Sequence, residues 1–170
     1  MNCQSCESIM LPVYGQSHYR CSACNTFSFA TELESAQCAI IPQGKKTAFQ
    51  CPKCVLPLEV GLVKGRQTQI CFCNNCRGFV LSSESLGELA TELRAEYEGE
   101  DDRPQPIDPK EMDLVSNCPA CWEKMESHPY YGPGNIVLDT CTHCKLAWLD
   151  HGELAKIVRA PGVRAVKKQW

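Results

Sequence analysis

The sequence predicts a small α+β protein, stabilised by metal, in which one hairpin-plus-helix unit is used three times in tandem. Two observations carry this. Twelve of the 14 cysteines fall into six Cys-x-x-Cys pairs, at 3/6, 21/24, 51/54, 73/76, 118/121 and 141/144. Taken two pairs at a time, they bracket loops of fourteen, eighteen and nineteen residues, which suits a strand out, a turn and a strand back. Such a hairpin brings two pairs together, so that four sulfurs converge on one centre. A unit of roughly 40 residues buries too little apolar surface to fold without a cross-link, and four thiolates at this spacing supply one as a structural zinc site.

The competing cross-link is the disulfide, which requires an oxidising compartment. The opening residues, MNCQSCESIM, carry neither a basic region nor an apolar core of the kind that marks a secretory signal. No apolar run approaches the roughly 20 residues of a membrane helix. These features favour a reducing cytoplasm and metal-bound thiolates. The expected ligand sets are Cys3, Cys6, Cys21 and Cys24; Cys51, Cys54, Cys73 and Cys76; Cys118, Cys121, Cys141 and Cys144. They would hold three zinc ions per chain. Iron fits the same tetrahedron, which leaves a rubredoxin-like electron carrier as an alternative.

The first unit (residues 1–44) opens at Cys3/Cys6, turns near Tyr14 and Gly15, and returns through His18-Tyr19-Arg20 to Cys21/Cys24. Thr31 with Glu34 reads as a capping box. Leu33, Ala36 and Ile40 share one helical face, and Pro42 and Gly44 end the expected helix. In the second unit (45–97), Leu58, Val60 and Leu62 alternate as a strand does, with turn chemistry between Gly61 and Gly65. A longer helix follows, with Ser85 and Glu88 as its expected capping box and Leu86, Leu89, Ala90, Leu93 and Tyr97 as its apolar stripe. Residues 98–116 are acidic and proline-rich and read as a solvated, semi-extended linker. The third unit (117–170) turns at Gly132-Pro133-Gly134, returns through Ile136, Val137 and Leu138, and closes with a helix. In that helix Asp150 and Glu153 form the capping pair, Leu154, Ile157 and Val158 the apolar face, and Pro161 the stop. A basic tail then ends at Trp170.

Two cysteines stand outside the pairs. Cys38 reads as a small buried hydrophobe. Cys71, two residues before Cys73, would share its strand face and compete for the metal. Aligning Ile70 with Leu138 favours Cys73 as the ligand. His18, His128, His143 and His151 are the only histidines, and all four read as solvated surface residues.

The third unit resembles the bacterial family of transcription factor IIB-type zinc fingers. The resemblance rests on Cys118-Pro119-Ala120-Cys121, Cys141-Thr142-His143-Cys144, Trp148-Leu149-Asp150 and Gly152-Glu153-Leu154. Residues 51–89 share the pattern more loosely, with Cys51-Pro52-Lys53-Cys54 and with Gly78-Phe79-Val80-Leu81 in place of the Trp-Leu-Asp element. Residues 3–41 keep only the cysteines and the general shape. The resemblance implies zinc ribbons with cysteine ligands, modules that dock polymerases, nucleic acids and other proteins.

Net charge narrows the function. The formal value is −3, and three zinc ions each held by four thiolates would make it more negative still, which is not the balance of a globally basic nucleic-acid binder. No Ser/His/Asp set, phosphate loop or paired-carboxylate pocket is recognisable. The expectation is a non-catalytic interaction module, an adaptor or regulatory protein with a protein partner and no membrane. Tyr14, Tyr130 and Tyr131 at the hairpin tips are candidate anchors. A nucleic-acid-binding alternative would use the basic residues around the second unit, Lys45, Lys46, Lys64, Arg66 and Arg77. It would also use Arg159, Arg164, Lys167 and Lys168, with Trp170 beside them.

Overall fold

The computed structural model describes residues 1–14, 16, 18–29 and 38–164. The strands are β1 (Met10–Pro12), β2 (His18–Cys21), β3 (Phe27–Phe29), β4 (Ile40–Gln50), β5 (Pro57–Val63), β6 (Gln69–Phe72), β7 (Phe79–Ser82), β8 (Glu126–Pro129), β9 (Val137–Cys141) and β10 (Leu146–Leu149). The helices are α1 (Ser83–Glu96) and α2 (Glu153–Arg159). Strands β1-β2-β3 form one small sheet, and the other seven form a second, in the order β4-β5-β6-β7-β10-β9-β8.

The second and third units therefore share one sheet. Their junction is the antiparallel pairing of β7 with β10, in which Val80 faces Trp148, Leu81 faces Ala147 and Phe79 faces Leu149. Val80 and Trp148 each lie four residues after the last cysteine of their unit. Equivalent positions thus pair with each other, and a local two-fold axis passes between them. The same operation relates β5-β6-β7 to β8-β9-β10 and sets α1 against α2.

Side chains alternate across this sheet with the period of two that strands impose. Phe72, Phe79, Leu81, Leu138, Ala147 and Leu149 point to the face covered by the helices, where Leu86, Leu89, Leu93, Leu154, Ile157 and Val158 complete the main core. Val80 and Trp148 point to the opposite face, into a second cluster with Leu58, Met125 and ligand-set cysteines from both units. Met10, Cys3, Cys21 and the partly buried Tyr19 form a small cluster of their own within the first unit.

Several local expectations are corrected. The expected first helix falls mainly on 30–37, outside the described residues, but Ile40, Pro42 and Gly44 stand in β4. The β-branched pair Ile40-Ile41 finds partners in Val63 and Leu62, which a two-turn helix with one apolar stripe could not match. Pro42 is tolerated because β4 is an edge strand, where a missing donor faces outward. Gly61 lies inside β5 rather than in a turn, and a side chain there would meet Ile40 Cγ2 at 2.7 Å. Helix α1 is capped by Ser82, whose hydroxyl accepts from Ser85 N at 3.0 Å. Ser85 lies already inside the first turn, and a cap must be the last extended residue. The stripe itself is as expected, with Leu86, Leu89, Ala90 and Leu93 buried.

The acidic stretch is irregular and largely exposed, and it is tied at several points to the third unit. Asp101 pairs with Arg164, and Asp102 with Arg159 at 3.7 Å. Asp102 N donates to Arg159 O, and Asn135 Nδ2 to Gln105 O. Opposite charge at the end of α2 accounts for this. A 3-10 turn at Pro109–Asp113 follows, capped by Asp108.

Candidate metal centres

Each centre is built from two knuckles with one wiring. In the knuckles beginning at Cys3, Cys21, Cys51, Cys73 and Cys118, the cysteine N–H donates to a carbonyl five residues on, and its own carbonyl accepts from the residue four on. That fourth residue is left-handed in all six knuckles: Glu7, Asn25, Val55, Arg77, Trp122 and Lys145, with φ between 55° and 66°. Amide N–H groups inside the knuckles point at sulfur. Ser5 N reaches Cys3 Sγ, Cys54 N reaches Cys51 Sγ and Ala120 N reaches Cys118 Sγ at 3.4 Å each, and Cys144 N reaches Cys141 Sγ at 3.3 Å. Such donors favour thiolate over thiol.

Three groups of four sulfurs result: Cys3/Cys6/Cys21/Cys24, Cys51/Cys54/Cys73/Cys76 and Cys118/Cys121/Cys141/Cys144, each with all Sγ atoms within 4.8 Å of one another. Individual Sγ–Sγ distances are 3.4 Å for Cys6–Cys24, 3.5 Å for Cys51–Cys76 and 3.7 Å for Cys121–Cys141. A tetrahedron with Zn–S bonds of about 2.3 Å has sulfur–sulfur edges of about 3.8 Å. The donor sets therefore fit three structural zinc ions. Without an ion the four thiols compete for charge: the Cys51 hydrogen bond lowers the Cys73 pKa, and the same proximity raises that of Cys76.

Cys73, not Cys71, belongs to the second cage. Cys71 is half-buried on the metal-side face of β6, and burial raises its pKa. Cys38 is buried in the main core.

The first unit docks on the others through contacts that sequence reasoning missed. His18 and His151, read above as surface residues, are buried. His18 packs between Phe27 and Phe29, and the Phe29 ring lies 4.4 Å from that of His151. Desolvation lowers the His18 pKa to about 4. His128 is half-buried, bonded to Thr140 Oγ1 at 3.0 Å, while His143 is exposed. Arg77 stacks over Phe29 at 4.3 Å. Asp150 joins the units: it accepts from Trp148 Nε1 at 2.9 Å and from Gln16 Nε2 at 3.1 Å, and it pairs with Lys53. Beside it, Glu153 is buried and accepts from Asp150 N at 2.7 Å. Burial, and then the charge of Asp150, raise the Glu153 pKa to about 8. Asp150 and Glu153 meet at the start of α2, but the cap position is Gly152, left-handed at φ 87°, and no side chain caps the helix.

The candidate contact residues are dispersed. Tyr14 is exposed but bonded to Asp108. Tyr130 packs against the core, and Tyr131 is 94% exposed. Lys64 is exposed. Arg66 pairs with Glu92 and Glu96, and Arg164 with Asp101 and the Tyr97 ring. Lys167, Lys168 and Trp170 lie outside the described residues. Two exposed apolar knuckle residues went unremarked in the sequence, Val55 and Trp122. Among the described residues no helix is long and apolar enough to cross a membrane.

Comparison with curated proteins and with solved structures gives no significant match. Residues 117–160, which contain the third cage, β8 to β10 and α2, match the family described as transcription factor zinc-finger, the TFIIB-type zinc ribbon.

Proposed function

We propose that this chain is a non-catalytic adaptor or regulatory protein, in which zinc holds rigid a surface that docks a protein partner. Four sulfurs close each tetrahedron and leave no position for water or substrate, so the metal serves as a cross-link. The observation that supports docking is the placement of Trp122 and Val55. Both are large apolar residues in left-handed positions of knuckles, 43% and 61% exposed. A β-branched or aromatic side chain is costly in that backbone region, and solvent gives nothing back for it. Rigid aromatic anchors of this kind dominate protein interfaces. The exposed Tyr131 and Lys64 belong to the same proposal, with Tyr14, Tyr130, Arg66 and Arg164 contributing only at the margins of their internal contacts.

Nucleic-acid binding is less well supported, because Arg66, Arg77, Arg159 and Arg164 are engaged inside the chain. The family matched by residues 117–160 points the process toward transcription. The test is cross-linking in native cells with the wild type and with Trp122→Glu, each checked for three zinc ions. A specific protein adduct lost in the variant is expected. DNA or RNA binding that weakens steeply with salt and survives Trp122→Glu would overturn the proposal.

A further inference from the structure

The three cages differ in their surroundings. The second and third lie on one face of one sheet: Cys51, Cys73, Cys76, Cys118 and Cys141 are buried in a single apolar cluster with Val80 and Trp148. Val80 and Trp148 are the pair on the local two-fold axis. A backbone hydrogen bond also ties the two opening knuckles, Gln50 N to Pro119 O at 3.2 Å. The first cage contributes no buried residue to this cluster, and only Phe27 of its unit reaches the rim. Its cluster consists of Cys3, Met10 and Cys21 with Tyr19 at the edge, and two of its ligands, Cys6 and Cys24, are exposed.

We infer that the second and third centres take up and lose zinc as one cooperative unit, whereas the first loads independently and is the centre that exchanges. A metal site is formed only when its ligands are folded into place, so binding free energy is folding free energy. Emptying the second cage frees the 51–56 and 73–78 knuckles, and with them the floor under Trp148 and the strand that β10 pairs with. The third cage would then lose the side of its packing that faces the axis. Emptying the first cage removes nothing from that cluster except the partly buried Phe27 at its rim. Exposed Cys6 and Cys24 also give a competing ligand a direct route to the first ion, whereas every ligand of the other two cages is buried or half-buried.

The test is a chelator challenge of the full, zinc-loaded chain, read by a metallochromic dye and by metal analysis. The wild type is expected to release one zinc ion at least tenfold faster than the other two, which leave together in one phase. Cys6→Ser should remove the fast phase and keep two zinc ions. Cys54→Ser and, reciprocally, Cys121→Ser should each retain one zinc ion, held by the first cage. Two ions retained in either variant would refute the coupling. None retained would refute the independence of the first centre, and three equal release phases in the wild type would refute both. None of these results bears on whether Trp122 docks a partner.

Discussion

Arg94, in the last turn of α1, is buried, and its guanidinium lies at the end of α2. Nη1 donates to Ile157 O at 2.6 Å and to Ala160 O at 2.8 Å, with Val158 O at 3.5 Å. The last carbonyls of a helix have no partner within it, and a cation there also meets the negative end of the helix dipole. Burial and the nearby Arg164 lower the Arg94 pKa, yet a guanidinium stays charged at any pH the fold survives. Arg94 thus fastens the two halves of the pseudo-symmetric unit at their helices, as Val80 and Trp148 do at their strands. Arg94→Met keeps the apolar stem and deletes the charged donor. Hydrogen bonds from a charged group contribute about 1.5–3 kcal/mol, and the carbonyls left behind are partly reached by water. The expected loss is about 2 kcal/mol, seen as a lower urea midpoint at constant slope, followed through tryptophan fluorescence in zinc-buffered solution. Amide exchange in the last turn of α2 should accelerate while that of β9 keeps its pace. A midpoint unchanged to within about 0.5 kcal/mol would show that solvent caps α2 equally well, and the fastening argument would fail.

Three further outcomes are expected. A Cβ at Gly78 would lie 2.4 Å from Trp148 Cζ2 and 3.2 Å from Leu149 O, and the indole is pinned by Asp150, so Gly78→Ala should cost roughly 1–3 kcal/mol; an unaltered denaturation curve would contradict this packing. Glu153 has a folded pKa of about 8 against about 4.3 unfolded. Between those values the folded state holds a proton that the unfolded state lacks, so its contribution is full below the lower value and is lost as pH rises through the higher one. Stability relative to Glu153→Gln should therefore fall on the order of 2 kcal/mol from pH 6 to pH 9, and a flat difference would place the charge elsewhere. Chelation under reducing conditions should abolish the far-UV spectrum, because structural zinc contributes on the order of 10–16 kcal/mol per site in small peptides; a demetallated chain that kept its secondary structure would refute the role of the cages.

The cages were legible in the sequence because a knuckle is a local object. Cys, two residues, Cys and a left-handed fifth position fix six short loops whatever surrounds them, and hairpin lengths bring the loops together in twos. The α1 stripe was legible for the same reason, being one face of one helix. What lay beyond reach was every relation between units. Val80 and Trp148 stood out only as members of matching motifs, and their pairing across an axis needs both copies of the strand at once. Arg94 gave no signal, because the carbonyls it caps belong to α2, more than sixty positions away. Ile40 to Gly44 read as the close of a helix because the residues that claim them, Val63, Leu62 and Gly61, lie about twenty positions away. His18 and His151 carried no pattern at all, since the aromatic cluster that encloses them forms only where Phe29 of the first unit meets His151 of the third. Duplication explains why such a chain would abandon the string-of-beads form. A lone unit leaves the edge of its last strand unpaired, with apolar side chains on both faces. Two copies in one chain satisfy both edges at once, at an effective concentration no separate partner could match. The exposed knuckles at the rim of the sheet, rather than its strand edges, are then left to meet another molecule.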